Sequence, residues 1–333
     1  MALLISVPPG TAPSNLPVQQ SFTKKLLTFA ITLTPTPGGN VSGTFQGTGV
    51  PGADGTNQVM LSGVRAIVHV ENNGAPAGGR ADISIYGLTP SLMNQLTTVG
   101  IIFNAANRNY VTISAGDAVV GPAPIFTGTI IECFADYNQA PNVPLVMTAQ
   151  AGAGGVDSLA NTTPSSFAPP VNVATVMAGF ARRLNLGFIN GGVSAVLPRA
   201  IYLRGNLWQQ VNQLARWQHI HAESVNGNTL AIWPYGGSWQ YSGIMPLISK
   251  NTGMIGSPSL TNQGVIVKMI FNPQVGFGGK IQIQSAVVPQ ANGIWYVQRL
   301  DLDLATLAPN GKWQGTVLGN GTSSAIPTPQ PTT

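Results

Sequence analysis

Apolar residues alternate with polar ones along most of this chain, which is the pattern of β-strands with one buried face. Between residues 21 and 150 the pattern predicts strands separated by Gly, Pro and Asn turns, at 22–34, 64–71, 81–86, 110–114, 124–136 and 143–149. One short helix is predicted at 89–97, because Thr89 suits the N-cap and Pro90 suits the first turn. We therefore predict a barrel or sandwich with a single short helix for this region.

The pattern changes in the middle of the chain. Residues 151–171 contain a Gly-Ala-Gly-Gly run and several prolines, and we place a linker there. Within 172–235, apolar residues recur at helical spacing and are followed by apolar runs on either side of an Asn-Gly-Asn turn. The predicted elements are helices at 173–184 and 206–217 and strands at 220–225 and 230–233. These elements indicate a small α+β module.

Strand patterns return after residue 236. They lie at 264–271, 280–285, 293–303 and 313–318. The fold class that follows is mainly β with a small α+β module. The predicted segments are an N-terminal arm (1–20), a first β domain (21–150), the linker (151–171), the module (172–235), a second β domain (236–319) and a Pro- and Thr-rich tail (320–333) that we expect to be flexible.

Charged residues are scarce. Lys and Arg total 15 and Asp and Glu total 10, which is 8% of the 333 residues, against about 25% in a typical soluble domain. The apolar content of 44% is enough for packed cores, so disorder does not explain the scarcity. We predict no membrane insertion, because no continuous apolar run reaches the roughly 20 residues that span a bilayer. The simplest interpretation is that the chain buries its surface against other proteins in an assembly.

Several segments resemble the baseplate hub proteins of contractile-tailed bacteriophages. In the C-terminal half these are residues 252–267 (TGMIGSPSLTNQGVIV), 271–283 (FNPQVGFGGKIQI), 293–304 (GIWYVQRLDLDL) and 310–317 (NGKWQGTV). In the first β domain, residues 84–88 (SIYGL) and 126–131 (FTGTII) are similar to the opening barrel of that family. The resemblance covers most of 21–320. It consists of the placement of Gly, Pro and aromatic residues along these segments, together with the order of the domains.

The resemblance implies two tail-tube-like β-barrels in each subunit, flanking or enclosing the module, and a homotrimer. Three subunits would then form a ring that joins the tail tube to a central spike, contacts other baseplate proteins, and lines a channel through which DNA passes without specific binding. It also implies a structural, non-enzymatic protein of the virion tail, assembled in the host cytoplasm and without a cofactor. The two β domains show no internal repeat, so the two-barrel expectation depends on the resemblance alone.

The sharpest candidate for a chemical site is the alternating set His219, His221 and Glu223. On a strand these residues would project from one face, where two imidazoles and a carboxylate could bind a metal ion. No fourth ligand is visible in the sequence. We therefore favour the alternative, a polar strand face that is solvated or lies in an interface.

Residues 158–222 contain no acidic residue but carry arginines at Arg182, Arg183, Arg199, Arg204 and Arg216. This asymmetry predicts an electropositive surface for an acidic partner, or for DNA in a channel. We favour a partner over DNA, because aromatic residues do not interleave with the arginines in the sequence. The alternative is a set of separate arginines that extend from helix surfaces into water.

Four aromatic residues, Trp233, Tyr235, Trp239 and Tyr241, cluster at the predicted boundary between the module and the second β domain. We predict that they pack at a domain junction. If they were exposed they would instead stack on sugar rings, which keeps carbohydrate binding as an alternative.

Enzyme motifs are missing from the sequence. No H-E-x-x-H, G-x-S-x-G or C-x-x-C occurs, and the G-x-G-x-x-G match at 47–52 precedes no predicted helix. The lone Cys133 lies in an apolar run, so we expect a buried, unreactive thiol. The predicted function is a structural baseplate hub. The alternatives are a secreted carbohydrate-binding or cell-wall-degrading protein, and a tail-tube or adaptor protein of another contractile injection machine.

Overall fold

The computed structural model describes residues 23–32, 58–74, 78–97, 109–119, 121–151, 163–184, 186–225, 229–239 and 245–321. The predicted N-terminal arm, the turn at 226–228, Tyr241 and residues 322–333 lie outside the described residues. The fold is mainly β with a large antiparallel sheet, as the alternating pattern predicts.

A sheet of 13 strands contains both β regions of the chain. Its strands are β1 (Lys25–Thr32), β2 (Gln58–Ser62), β3 (Arg65–Asn72), β4 (Gly79–Tyr86), β5 (Tyr110–Asp117), β6 (Gly121–Ala135), β7 (Pro144–Gln150), β15 (Leu247–Ser249), β16 (Met254–Thr261), β17 (Gly264–Ile270), β18 (Lys280–Gln284), β19 (Gly293–Thr306) and β20 (Trp313–Asn320). The main path runs β16-β17-β20-β19-β3-β4-β7-β6-β5-β1-β2, and β18 pairs with both β15 and β19.

The two β regions, predicted as separate barrels, meet within this sheet. β3 of the first region pairs with β19 of the second in an antiparallel ladder of seven consecutive residue pairs. Buried apolar residues from both regions form one core, in which Val68 and Val70 of β3 lie opposite Leu304 and Leu302 of β19. The two β regions thus share a sheet and a core, and the two-barrel arrangement stays a prediction.

Local sequence signals explain the elements well. On β3, Ala66, Val68 and Val70 are buried and the residues between them point outward, which is the alternation used for the prediction. The short helix α1 (Pro90–Leu96) begins where expected, since the Thr89 side chain accepts a hydrogen bond from the Leu92 backbone N–H at 3.4 Å. Three strands of the large sheet, β2, β15 and β16, were not predicted from the sequence.

The module has its own core, built from two helices and short strands. Its elements are β8 (Ser165–Phe167), β9 (Val171–Asn172), α2 (Val173–Arg183), β10 (Gly187–Asn190), β11 (Val196–Leu197), β12 (Ile201–Leu203), α3 (Leu207–Gln218), β13 (Ile220–Val225) and β14 (Thr229–Pro234). β8 pairs with β12, so the module begins inside the segment that the sequence assigned to a linker. Among the described residues, no helix is long and apolar enough to cross a membrane.

Candidate interaction surfaces

The large sheet has one face on the core and one face outside it. The outward residues of its strands are largely polar and half-buried, including Thr28, Thr112, Thr127, Thr148 and Thr316. Some of them bond to one another across strands: the Thr127 hydroxyl donates to the Thr112 hydroxyl at 3.1 Å, and the Thr148 hydroxyl donates to Asp82 at 2.8 Å. Such a face suits water or a polar partner and does not suit a second apolar layer.

Charged side chains concentrate on this face where β3 meets β19. His69 Nδ1 lies 2.8 Å from Asp303 Oδ1, and His69 Nε2 lies 3.1 Å from Glu71 Oε1. Arg299 Nε lies 2.8 Å from Asp301 Oδ2, and Arg299 Nη2 lies 3.8 Å from Glu71 Oε1. Together with Lys312, 3.8 Å from Asp303, we call these side chains the seam network: His69, Glu71, Arg299, Asp301, Asp303 and Lys312.

The seam network shifts the titration of its members. Partial burial lowers the pKa of His69, but hydrogen bonds to Glu71 and Asp303 outweigh burial and raise that pKa above its ordinary value. Burial raises the pKa of Asp303, and hydrogen bonds from His69 and Gln314 reverse this, so that pKa is lowered overall. Both directions favour the charged pair, which links the two β regions across their shared ladder.

The structure does not place the three residues of the metal hypothesis on one strand. His219 does not lie on a strand: it directly follows α3 in the left-handed conformation (φ 51°), and β13 begins one residue later. His221 stacks on the Trp233 ring with 5.2 Å between ring centroids, and burial lowers its pKa. Within the described ranges, no three His, Cys, Asp or Glu side chains are placed to hold a metal ion. The alternation argument fails because His219 terminates a helix.

Trp233 and Trp239 lie where the module contacts the large sheet. They pack against Phe277, in the loop between β17 and β18, and form a small core separate from the two larger ones. The Trp239 indole N–H donates to the Phe277 carbonyl oxygen at 2.6 Å, and the Ser238 hydroxyl donates to the Gly278 carbonyl oxygen at 2.7 Å. These contacts attach the module to the second β region.

A cleft of about 310 Å³ lies beside this junction. Glu223, Trp233 and Tyr296 are among the residues that line it. Tyr235 is exposed near the same place, with its ring 4.6 Å from the His221 ring. Of the four aromatic residues predicted at a junction, the two tryptophans therefore pack there, Tyr235 is 55% exposed with its ring against His219 and His221, and Tyr241 lies outside the described residues.

All five arginines of the acid-free stretch are exposed. Arg183 donates to the Ser165 hydroxyl at 3.0 Å, and no ion pair joins any of the five to a described acidic residue. The sequence reasoning missed two aromatic neighbours, Tyr202 and Trp217, which are 56% and 53% exposed. Their positions beside Arg204 and Arg216 were visible in the sequence, but their exposure was not.

Cys133 is a core residue of β6. Burial raises the pKa of its thiol to about 12, so the thiolate is scarce at neutral pH. This matches the expected buried, unreactive thiol.

Comparison with known proteins gives a family and a fold. The family model described as baseplate hub gp41 matches residues 48–314. A prophage MuSo2 43 kDa tail protein from Shewanella oneidensis is similar in structure, with a TM-score of 0.55 and 7% identity over 88% of this chain and 96% of that one. A tail protein from Neisseria meningitidis MC58 gives a TM-score of 0.53 and 9% identity over the same shares of the two chains.

A third similar structure is the Francisella PdpA-VgrG complex, with a TM-score of 0.50 and 8% identity over 93% of this chain and 60% of that one. At such identities these likenesses establish the fold alone. No curated protein matches the chain in sequence.

Proposed function

Because the chain belongs to the baseplate hub gp41 family, we propose that three copies form a ring in the tail baseplate, between the tail tube and a central spike. The ring lines the channel through which the genome leaves the particle. The ring acts by binding and not by catalysis. It binds the tail tube on one side and the spike on the other, matches their symmetries, and holds both until the baseplate rearranges. It contacts further baseplate proteins at its outer surface, and it is assembled with the tail in the host cytoplasm.

The observation that carries this proposal is the single sheet shared by the two β regions. A ring of this kind needs a continuous wall, and the β3–β19 ladder joins the two β regions of each copy without a gap. The polar outward face of that wall then lines the channel. Its acidic and basic side chains bind each other in the seam network, so they offer passing DNA no free row of cations.

The two ends of the sheet supply contacts between copies. β2 and β16 are its outermost strands along the main path. They expose apolar side chains, among them Met60 (50%) on β2 and Leu260 (47%) on β16. An exposed strand edge with apolar residues is a template for pairing, and a closed ring satisfies it with the neighbouring copy.

The mass of the full chain in solution tests this proposal. We expect a species three times the chain mass of 34.6 kDa. Leu260→Lys, which places a charge on the β16 edge, should shift the population toward monomer. Val287→Lys is the matched control, because Val287 is 76% exposed and lies in the loop between β18 and β19, not on either outer strand. A wild-type chain that stays monomeric and binds glycan would overturn the ring in favour of the carbohydrate-binding alternative.

A second candidate is an adaptor of another contractile injection machine, which the fold similarity to the VgrG-containing complex favours. Purified phage tails separate the two. The hub requires the chain in the same particle as the tail tube and spike, whereas an adaptor of another machine would be absent from those tails.

A further inference from the structure

We propose that the module carries a docking surface for an acidic protein of the baseplate, formed by Arg183, Arg204 and Arg216 around the exposed rings of Tyr202 and Trp217. That the partner is a baseplate protein rests on the proposed function, which places this chain in the tail baseplate. The surface itself rests on the geometry of the module. We call these five residues the arginine surface.

A two-stranded ribbon forms the base of the arginine surface. In the β8–β12 pair Leu203 lies opposite Ser165, and in the β9–β11 pair Leu197 lies opposite Val171. The two pairs keep one register, so residues 165–172 and 196–203 run as one antiparallel ribbon that is interrupted at 168–170 and 198–200. Its inward residues Leu197 and Leu203 belong to the module core. Tyr202, next to Leu203, therefore points away from that core, in agreement with its 56% exposure.

Arg183 and Arg204 both lie at one end of this ribbon. Arg183, the last residue of α2, donates to the Ser165 hydroxyl, and Ser165 is the register partner of Leu203. Arg204 directly follows Leu203 in the chain. Register partners share a face of the ribbon, so the Arg183 guanidinium lies at this ribbon end on the Leu203 side, and Tyr202 projects from the opposite side of the same end.

Helix α3 adds the third arginine and the second aromatic ring. The Gln213 side chain of α3 donates to the Arg204 carbonyl oxygen at 3.2 Å, so this face of the helix lies along the ribbon end. Arg216 and Trp217 follow Gln213 by three and four residues, which places them on the same face of the helix one turn further on. Arg182 and Arg199 are exposed as well and lie close by in the chain.

The composition of the arginine surface fits a protein partner better than nucleic acid. Arg, Tyr and Trp are the residues that contribute most to protein–protein binding, and all three are exposed together here. Nucleic-acid interfaces are more strongly charged and follow the phosphate backbone with rows of cations. Residues 158–222 contain no lysine, and two of their five arginines, Arg183 and Arg204, lie at one ribbon end. Val196, at the opposite end of the ribbon, is apolar and 53% exposed.

Charge complementarity requires the partner to be acidic. No arginine of this surface has an acidic partner among the described residues, whereas the acids of the seam network are already paired within the same chain. A second copy of this chain therefore offers less free negative charge than a different, acidic protein would.

Site-specific photo-cross-linking in assembled tails tests the proposal. The full chain receives a photo-reactive amino acid at Tyr202, and at Tyr137 as a matched control, because Tyr137 is 58% exposed and lies between β6 and β7 of the large sheet. We expect Tyr202 to cross-link to a different chain at a peptide rich in Asp and Glu. Changing Arg204 and Arg216 to Glu should lower that yield at least tenfold, a loss on the order of that for truncating charge pairs in interfaces. Changing both to Lys should lower it less.

The outcomes separate this surface from the proposed function. Tails that contain the chain as a trimer, but in which Tyr202 links only to another copy, to DNA or to nothing, overturn the arginine surface and leave the hub intact. Tails that lack the chain overturn both. Equal cross-linking yields for the Glu variant and the wild type would show that the arginines do not hold the partner, and would also overturn the proposal.

Discussion

The large sheet and the module use their few charged residues in opposite ways. In the sheet, acids and bases meet each other across the β3–β19 ladder, with His69 bound to Asp303 at 2.8 Å. In the module, arginines stand at the surface without a described acidic neighbour. The same shortage of charge therefore serves two purposes: paired charges join parts of one chain, and unpaired charges are left for another chain.

The comparison extends to the apolar cores. The sheet has one core that runs through both β regions, and the module has a separate one. Exposed ion pairs contribute about 0–1 kcal/mol each, while a buried leucine contributes several times more. Stability of the β regions should thus depend first on their shared core and only slightly on the seam network.

The largest expected effect comes from removing part of the shared core. Leu302 on β19 is 3% exposed and lies opposite Val70 of β3. Leu302→Ala should lower the free energy of unfolding by about 2–5 kcal/mol, through lost burial and the cavity left behind. Amide hydrogen exchange should speed up in strands of both regions, for example β4 and β20, while α3 keeps its protection.

Two further variants sharpen this experiment. Phe180→Ala, in the module core and 1% exposed, should give the reverse pattern, with faster exchange in α3 first. Val287→Ala, at a residue 76% exposed, should change stability by less than about 0.5 kcal/mol. Faster exchange in β17–β20 alone after Leu302→Ala would mean that the two β regions are independent units.

An intermediate effect is expected at the junction between the two regions. Gly278 has φ 72°, and a Cβ there would lie 2.7 Å from ring atoms of both Trp233 and Trp239. Gly278→Ala should displace the two rings and weaken the attachment of the module. Gly63 is the matched control, because its φ of 68° imposes the same backbone strain while a Cβ would meet nothing within 4 Å.

The difference between these two variants isolates the packing at the junction. We expect Gly278→Ala to cost about 1–3 kcal/mol more than Gly63→Ala, as overpacking does elsewhere. Tryptophan fluorescence and the urea midpoint measure the displacement and the cost. Equal costs for the two alanine variants would show that the rings do not hold the module in place.

Local signals in the sequence predicted most of the elements, and distance in the chain explains what they could not predict. Thr89 was identified as a helix start because a cap depends only on the next few residues, and the helix at 206–217 was identified from the spacing of its apolar residues. Alternation identified β3 and β19 as strands, but it does not specify which strand pairs with which. His69 and Asp303 face each other although they are 234 residues apart. The shared sheet therefore could not be derived from the pattern.

The candidate sites were affected by the same limitation. Arginine clustering was visible as composition, but the contacts that gather Arg183 and Arg204 at one ribbon end depend on pairing between β8 and β12. The metal hypothesis applied the strand period to His219, one residue before the strand begins. Whether alternating residues share one strand face depends on where the strand begins. Local sequence patterns define the ends of strands and helices less well than their presence.

The smallest expected effect concerns two histidines that titrate in opposite directions. The pKa of His69 is raised from 6.5 in the folded state, so its contribution to stability is complete below pH 6.5 and is lost as the pH rises through the raised value. The pKa of His221 is lowered from 6.5, so its neutral form is favoured by folding, and stability is lost as the pH falls below 6.5. His69 in the sheet therefore reduces stability as the pH rises above 6.5, and His221 at the junction reduces stability as the pH falls below 6.5.

Urea unfolding at a series of pH values from about 5 to 9 measures both slopes, and urea leaves ion pairs unscreened where a guanidinium salt would not. His69→Gln should remove the decline above pH 6.5, which we expect to be at most about 1 kcal/mol because the side chain is 40% exposed. His221→Gln should instead remove the decline below that pH and leave the upper slope unchanged. Added salt should flatten only the His69 slope, since that slope comes from exposed charge pairs whereas the His221 slope comes from burial. If His69→Gln followed the wild-type curve at every pH, the seam network would not stabilise the ladder between the two β regions.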